Sequence, residues 1–236
     1  IQGSVKNPGT YLMEEGEGIF NLVSKAGGYT QSAYPFGAIL QNDVARNLSI
    51  ESNRKLSQYF LRMLADNPSS YEAEAIQFIL NSLNDIDVTG RLVAEFDLDK
   101  LSSGVADVVL QENDLVMVPE IPSHVFIFGE VSNPGSSFYF EGEDHDFYIA
   151  ETGGFTDFAD KKGIFIYSPN GVTNQAKKNI FMNNKNDIEI YPGSIIYVPK
   201  KVPNRNFFNS ESAQAYAAIL GNLGLSLASV SVLKDW

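Results

Sequence analysis

The chain of 236 residues contains no cysteine. Disulfides, thiolate metal sites and a cysteine nucleophile are excluded, while the redox compartment stays open. Basic residues are scarce. Lys and Arg number 17 against 29 Asp and Glu, a formal net charge of -12. A field of that sign repels a phosphate backbone, so nucleic acid is excluded as a partner. Histidine occurs only at His124 and His145, and neither stands in a serine or cysteine motif. No nucleophile–base pair or paired-carboxylate arrangement is legible, so the expectation is no catalytic residue, no metal, no cofactor and no enzyme activity. No signal peptide is visible. The chain opens on Ile1-Gln2-Gly3, which reads as the end of a strand and suggests an excised piece of a longer protein.

What is present is a core and a repeat. Hydrophobic residues make up 44% of the chain, enough for a sizeable interior. "GSVKNPGTY" at Gly3–Tyr11 returns as "GEVSNPGSSF" at Gly129–Phe138, 126 positions later (129 minus 3). Residues 3–30 laid over 129–156 share 11 identities in 28 gapless positions. Among them are Asn7/Asn133, Pro8/Pro134, Gly9/Gly135, Gly27/Gly153 and Gly28/Gly154. Further on, "DVVLQENDLVMVP" (107–119) matches "DIEIYPGSIIYVP" (187–199) at an offset of 80 (187 minus 107). The first copy therefore carries about 46 extra residues, and the chain is a tandem duplication with one insertion.

Each copy has the same local plan. Asn-Pro-Gly suits a tight turn, with Pro presetting φ and Gly accepting a positive φ, and extended flanks make it a hairpin. Ile19–Ala26 has apolar residues at helical spacing, and Gly27-Gly28 stops that helix. The matching helix is Asp146–Thr152 before Gly153-Gly154. Strands follow at Ala38–Leu40 and Ile164–Tyr167, at Leu92–Phe96, and at Leu115–Val118 and Ile195–Val198. This order is that of a β-grasp domain, a small sheet curled over one helix. The fold class is α+β: two tandem β-grasp domains, at residues 1–121 and 123–200. The insertion, about residues 43–89, has two apolar helical faces separated by Asn67-Pro68, with Ser70 and Glu74 resembling a capped start. It reads as a helical hairpin protruding from the first domain.

The last segment, residues 207–236, reads as an apolar helical tail. Ser212–Leu233 has no charged residue. Drawn as a helix, Tyr216, Ile219, Leu220, Leu223, Leu227 and Val230 form one stripe, a candidate membrane or interface surface. Some 22 residues at 1.5 Å each give roughly 33 Å, close to the hydrocarbon thickness. The stripe fits lipid in a ring of such helices, and it equally fits packing on a domain or neighbouring chain.

G-x-V-x-N-P-G, a helix ending A-G-G-aromatic-T and a closing D-x-hydrophobic-x-V-P strand resemble the soluble-ligand-binding β-grasp (SLBB) domain. Two of them followed by an apolar tail resemble the outer-membrane polysaccharide export proteins of Gram-negative capsule and exopolysaccharide systems. The resemblance covers Gly3 to Pro199; the family's N-terminal export domain and lipid-bearing cysteine are missing. It implies a non-enzymatic translocon subunit of periplasm and outer membrane, a ring-shaped homo-oligomer through which polysaccharide passes. It also implies docking to an inner-membrane co-polymerase or a periplasmic adaptor. The alternative is a soluble periplasmic module that binds a glycan or small ligand.

Some residues carry two readings. "EGEDHD" (141–146) could hold a divalent cation. The equivalent Glu15-Gly16-Glu17 loop lacks the histidine, so a solvated acidic loop before a helix N-terminus is preferred. Phe138, Tyr139 and Phe140, with Tyr29/Phe155 and Phe36, could stack on sugar or fill a core or interface.

Overall fold

The computed structural model describes residues 1–66, 70–85, 88–104, 106–176 and 188–201, together with Ala215. The fold is mixed α and β, with two sheets. Its strands are β1 (Gln2–Gly3), β2 (Ile39–Gln41), β3 (Arg91–Leu92), β4 (Leu115–Val118), β5 (His124–Gly129), β6 (Gly135–Phe138), β7 (Phe165–Tyr167), β8 (Thr173–Gln175) and β9 (Ile195–Val198). Its helices are α1 (Ile19–Lys25), α2 (Asp43–Ala65), α3 (Ser70–Asp85), α4 (Leu98–Ser102) and α5 (His145–Glu151). A 3-10 turn covers Pro35–Gly37.

The first sheet has the order β1-β4-β2-β3 and the second β6-β5-β9-β7-β8. Apart from β6 the two orders are the same. In both, the first strand lies parallel to the last, Gly3 opposite Val118 and Gly129 opposite Val198. In both, that last strand runs antiparallel to the middle one. Isolated bridges repeat as well: Val5 to Tyr29 matches Val131 to Phe155, and Ala33 to Glu120 matches Ala159 to Lys200.

Each sheet buries one face against its own helix. Ile19, Leu22, Val23 and Ala26 of the α1 segment pack with Leu40, Val116, Val118, Phe96 and Leu101. Tyr148 and Ile149 of α5 pack with Val125, Ile127, Ile164, Ile166, Ile196 and Val198. The period-2 alternation of strands divides the remaining residues to the far face. On the second sheet those are Phe126, Phe128, Phe165, Tyr167, Ile195 and Tyr197. They are covered by Leu56 and Phe60 of α2 and by Ile76, Ile79, Leu80 and Leu83 of α3.

The insertion therefore does not protrude. It grows from the β2–β3 hairpin, where the second copy has only the turn Ser168–Val172. It then folds back across the second sheet as a helical lid. An α2–α3 pair with one apolar stripe cannot bury that stripe alone, and a β-sheet with Phe and Tyr on its outer face cannot leave it in water. Each solves the other's problem. The root of the lid is fixed. The Asn42 side chain accepts from Val44 N and Ala45 N as an N-cap, while its Nδ2 donates to Asp114 Oδ1 at 2.5 Å. Arg46 Nε donates to Val88 O at 2.9 Å.

Two further expectations are corrected. The strand read at Leu92–Phe96 is only Arg91–Leu92, because Phe96 turns into the first core, 2% exposed. The positive φ is not at the glycine of Asn-Pro-Gly. It falls at Gly3 (82°) and Gly129 (90°), and Gly9 and Gly135 are not in that region. The reason is that the chain does not reverse in a tight turn. It makes a wide arc from Gly3 to Pro8, and from Gly129 to Pro134, before pairing resumes at Ile1 with Gly9 and Ile127 with Gly135. A Cβ on Gly3 would stand 2.1 Å from Val118 O, and one on Gly129 2.0 Å from Val198 O. Only glycine lets the arc leave the sheet there.

The tail stripe of Tyr216, Ile219, Leu220, Leu223, Leu227 and Val230 lies outside the described residues. Ala215, the one described residue of that segment, is helical and fully buried in the cluster formed by the lid and the second sheet. Among the described residues, no helix is long and apolar enough to cross a membrane.

Candidate functional site

The repeated motif forms a clamp between the arc and the helix end. In the first copy, Asn7 N donates to Ala26 O at 3.0 Å and Asn7 Nδ2 to the same oxygen at 3.3 Å. In the second, Asn133 N and Nδ2 donate to Thr152 O at 2.9 and 3.3 Å. Gly27 (φ 82°) and Gly153 (φ 84°) follow those C-cap residues, and a Cβ at either would press on the asparagine amide at 2.9 Å. Gly28 N and Gly154 N close the helix ends by donating to Val23 O and Ile149 O. The clamp uses the orphan carbonyls that every helix end exposes. Asn7, Pro8, Gly9, Gly27 and Gly28 thus come together on one module, and Asn133, Pro134, Gly135, Gly153 and Gly154 on the other. Their geometry is that of a backbone joint.

The modules meet at a seam that the sequence did not announce. Arg91, at the lid's root on β3, reaches into the second module. Its Nη1 donates to Tyr167 Oη at 2.5 Å, its Nη2 donates to Pro169 O, and its guanidinium lies 5.6 Å from the Tyr167 ring centroid. Gly171 makes room for it, since a Cβ there would stand 3.1 Å from Arg91 Nε. Burial lowers the pKa of Arg91 and raises that of Tyr167, each working against its charged form. Arg91 Nε is buried and has no hydrogen-bond partner among the described residues. At another part of the seam Phe36 packs on Tyr191 with ring centroids 4.4 Å apart, and Tyr34 lies 6.0 Å from Phe36. Tyr191 Oη donates to Glu189 Oε2 at 2.6 Å, and that hydrogen bond, with burial, pushes its pKa up to about 12. Only the β2–β3 and β7–β8 hairpins being equivalent could have hinted that their ends would touch.

The histidines and aromatics find plain roles. His124 stacks on Phe138 at 4.7 Å and its Nδ1 is 3.0 Å from Ser123 Oγ. No carboxylate is hydrogen-bonded to His124 among the described residues. Asp144 in the acidic loop accepts from Phe147 N at 3.1 Å as the N-cap of α5. Among the described residues, no group of three His, Asp or Glu side chains could hold a metal ion. Phe138 and Phe140 are exposed, Tyr139 packs against the second core, and Tyr29 donates from its hydroxyl to Phe96 O at 2.7 Å.

A groove of about 1370 Å³ opens on the first module, between residues 8–15 and 110–115. Glu14, Glu15, Glu112, Asp114 and Glu120 make its rim acidic.

Comparison with known proteins falls on both modules. Residues 1–41 match the SLBB domain. Residues 133–213 match the capsule biosynthesis GfcC C-terminal domain. Over 163 residues the chain is 29% identical to the "Uncharacterized protein YjbG" of Escherichia coli (strain K12), covering 69% of this chain and 65% of the length of that relative.

Proposed function

We propose that this chain is a member of the SLBB-containing polysaccharide export family, a reading supported by the matches to both modules, and that it works without catalysis in the periplasm or envelope in the export of a capsular or extracellular polysaccharide. The observation that carries the reading is the clamp, built twice with matching hydrogen bonds in modules that match an SLBB domain and a capsule biosynthesis domain. Both modules read as β-grasp domains, residues 1–121 and 123–200, held as one body by the lid and the Arg91 seam. Such a body presents backbone joints and sheet edges, which suits assembly with other proteins. Its partners would be copies of itself in a ring, an inner-membrane co-polymerase or periplasmic adaptor, and the polymer in transit. The tail stripe would provide an outer-membrane contact.

The test is genetic and biochemical. Removing the gene from its host should abolish or sharply lower surface or released polysaccharide, with recovery on re-expression. Unchanged polysaccharide would sink the reading, and new reducing ends released from the polymer by the purified chain would sink its non-enzymatic part. Native mass spectrometry in detergent tests the ring, for which a single monomeric mass is the adverse result.

A second reading, a periplasmic glycan- or small-ligand-binding module, is favoured by Ala215. That single residue is buried against the lid, which supports packing on protein. Leu223→Asp with Leu227→Asp separates the two. Loss of membrane recovery supports the outer-membrane contact, and unchanged fractionation supports the accessory module.

A further inference from the structure

In the second module β6 is an edge strand, paired only with β5 among the described residues. Tyr139 N donates to Ser123 O at 2.8 Å. Backbone groups alternate along an antiparallel strand, so Gly135, Ser137 and Tyr139 turn theirs toward β5, and Ser136, Phe138 and Phe140 turn theirs away. Phe140 is closed: its N–H donates to Tyr148 Oη at 2.9 Å, and that hydroxyl donates to Phe140 O at 3.0 Å. The outward N–H and C=O of Ser136 and Phe138 have no backbone partner among the described residues. Only Ser137 Oγ approaches one of them there, 3.5 Å from Phe138 O.

In the first module the equivalent carbonyl is guarded. Leu12 stands 126 positions before Phe138 (138 minus 12), and Leu12 O accepts from Lys25 Nζ at 3.0 Å. Glu17 forms an ion pair with the same ammonium. The second copy keeps that glutamate, as Glu143, and puts Glu151 where Lys25 stands. A carboxylate cannot donate to Phe138 O. Glu143 and Glu151 are both exposed, and neither forms an ion pair among the described residues. One module therefore has a guarded, locally neutral edge. The other has an open strand beside two uncompensated negative charges. Unpaired N–H and C=O groups on a sheet edge are a template for another strand, and lysine is a common guard against it.

We propose that β6 is a docking edge for an extended segment of a partner protein in which basic and apolar residues alternate. The residue opposite Phe138 bonds to the open edge and lays its side chain on the face where Phe138, 64% exposed, stacks on His124. That residue is apolar. Its neighbours turn to the opposite face of the sheet, the one on which α5 packs and where Glu151 ends that helix. One of them brings the cation that Lys25 provides in the first module. A second copy pairing through its own β6 fits less well, because it would set another Glu143 and Glu151 against this pair. The proposal stands independently of the export reading.

The experiment follows amide hydrogen exchange in the full chain with two synthetic peptides. One is acetyl-Thr-Lys-Val-Lys-Thr-amide, and the other has glutamate in place of both lysines. The expected result is at least fivefold slower exchange at Ser136 and Phe138 with the lysine peptide, no change at Ser137, which faces β5, and no change anywhere on β6 with the glutamate peptide. Glu151→Lys restores the first module's arrangement at an exposed position. It should weaken binding of the lysine peptide at least fivefold while β7 and β9 keep their protection. Unchanged exchange at Ser136 and Phe138, equal slowing by both peptides, or undiminished binding to Glu151→Lys overturns the proposal. Protection of Phe138 that rises with protein concentration in the absence of peptide assigns the edge to a second copy and overturns it as well.

Discussion

The two modules repeat one strand order and one clamp, yet they solve the same two problems differently. The first problem is the start of the helix. In the second module Asp144 sits at the N-cap itself and accepts from Phe147 N. In the first module the N-cap is Gly18, which has no side chain to offer. The carboxylate comes from Asp107, 87 residues away in sequence, which accepts from Phe20 N at 3.3 Å. A Cβ on Gly18 would stand 2.5 Å from that carboxylate, so the glycine makes room for the imported cap. The second problem is the outer face of the sheet. The second module borrows its cover from the first, through the lid. The duplication has thus kept the backbone plan and moved the polar and apolar partners around it.

The comparison can be broken most severely at the arcs. Gly3→Ala and Gly129→Ala each force a Cβ into a strand carbonyl at a positive φ. Each should cost about 4 kcal/mol or more, the range of exceptional single substitutions. Thermal unfolding should show similar losses for both, and a tolerated alanine at either site would mean the arcs are not equivalent.

The lid comes next. Phe60 is fully buried against the second sheet, although it belongs to the first module's insertion. Phe60→Ala should cost about 3–5 kcal/mol. Hydrogen exchange should rise in β7 and β9 more than in β2 and β4. Equal loosening of both sheets would contradict the borrowed cover.

Arg91→Ala leaves Tyr167 Oη and Pro169 O without their donor and should cost about 2–3 kcal/mol. Because guanidinium and phenol are both held in their uncharged-favouring surroundings yet remain paired, Arg91→Lys should recover little; a lysine cannot reach both acceptors in the same plane. Chemical denaturation of the three chains checks the order.

The smallest effect sharpens the capping contrast. Asp144→Ala should cost about 1 kcal/mol, the usual loss of an N-cap. Asp107→Ala should cost less, since its 3.3 Å contact is the longer one. Urea midpoints for the pair measure the difference, and a larger loss at Asp107 would reverse the assignment of local and imported caps.

Much of this was legible in the residues. The constant offsets identified the duplication because hydrogen-bonded joints such as Asn7 with Ala26 need particular residues at fixed spacing. The helix stops were readable because a positive φ selects glycine. The insertion's two helices were readable because a 3.6-residue apolar period is a local property. Less legible was which glycine takes the left-handed step. Asn-Pro-Gly looks like a tight turn from any isolated window, and only the neighbouring strand's carbonyl moves the constraint to Gly3 and Gly129. The polarity of Asp144-His145-Asp146 was visible as an oddity, and its role as a cap became plain only with the helix start in place.

The sequence by itself thus determined the repeat, the identity of the repeated Asn-Pro-Gly and Gly-Gly residues and the helical character of the insert, because these depend on spacing along the chain. Tertiary structure alone decided where the lid docks, which carboxylate caps α1 and what Arg91 holds. Those contacts join residues 70 to 90 positions apart or lie across two modules. An apolar stripe or a spare charge states that a partner is needed without saying which surface supplies it.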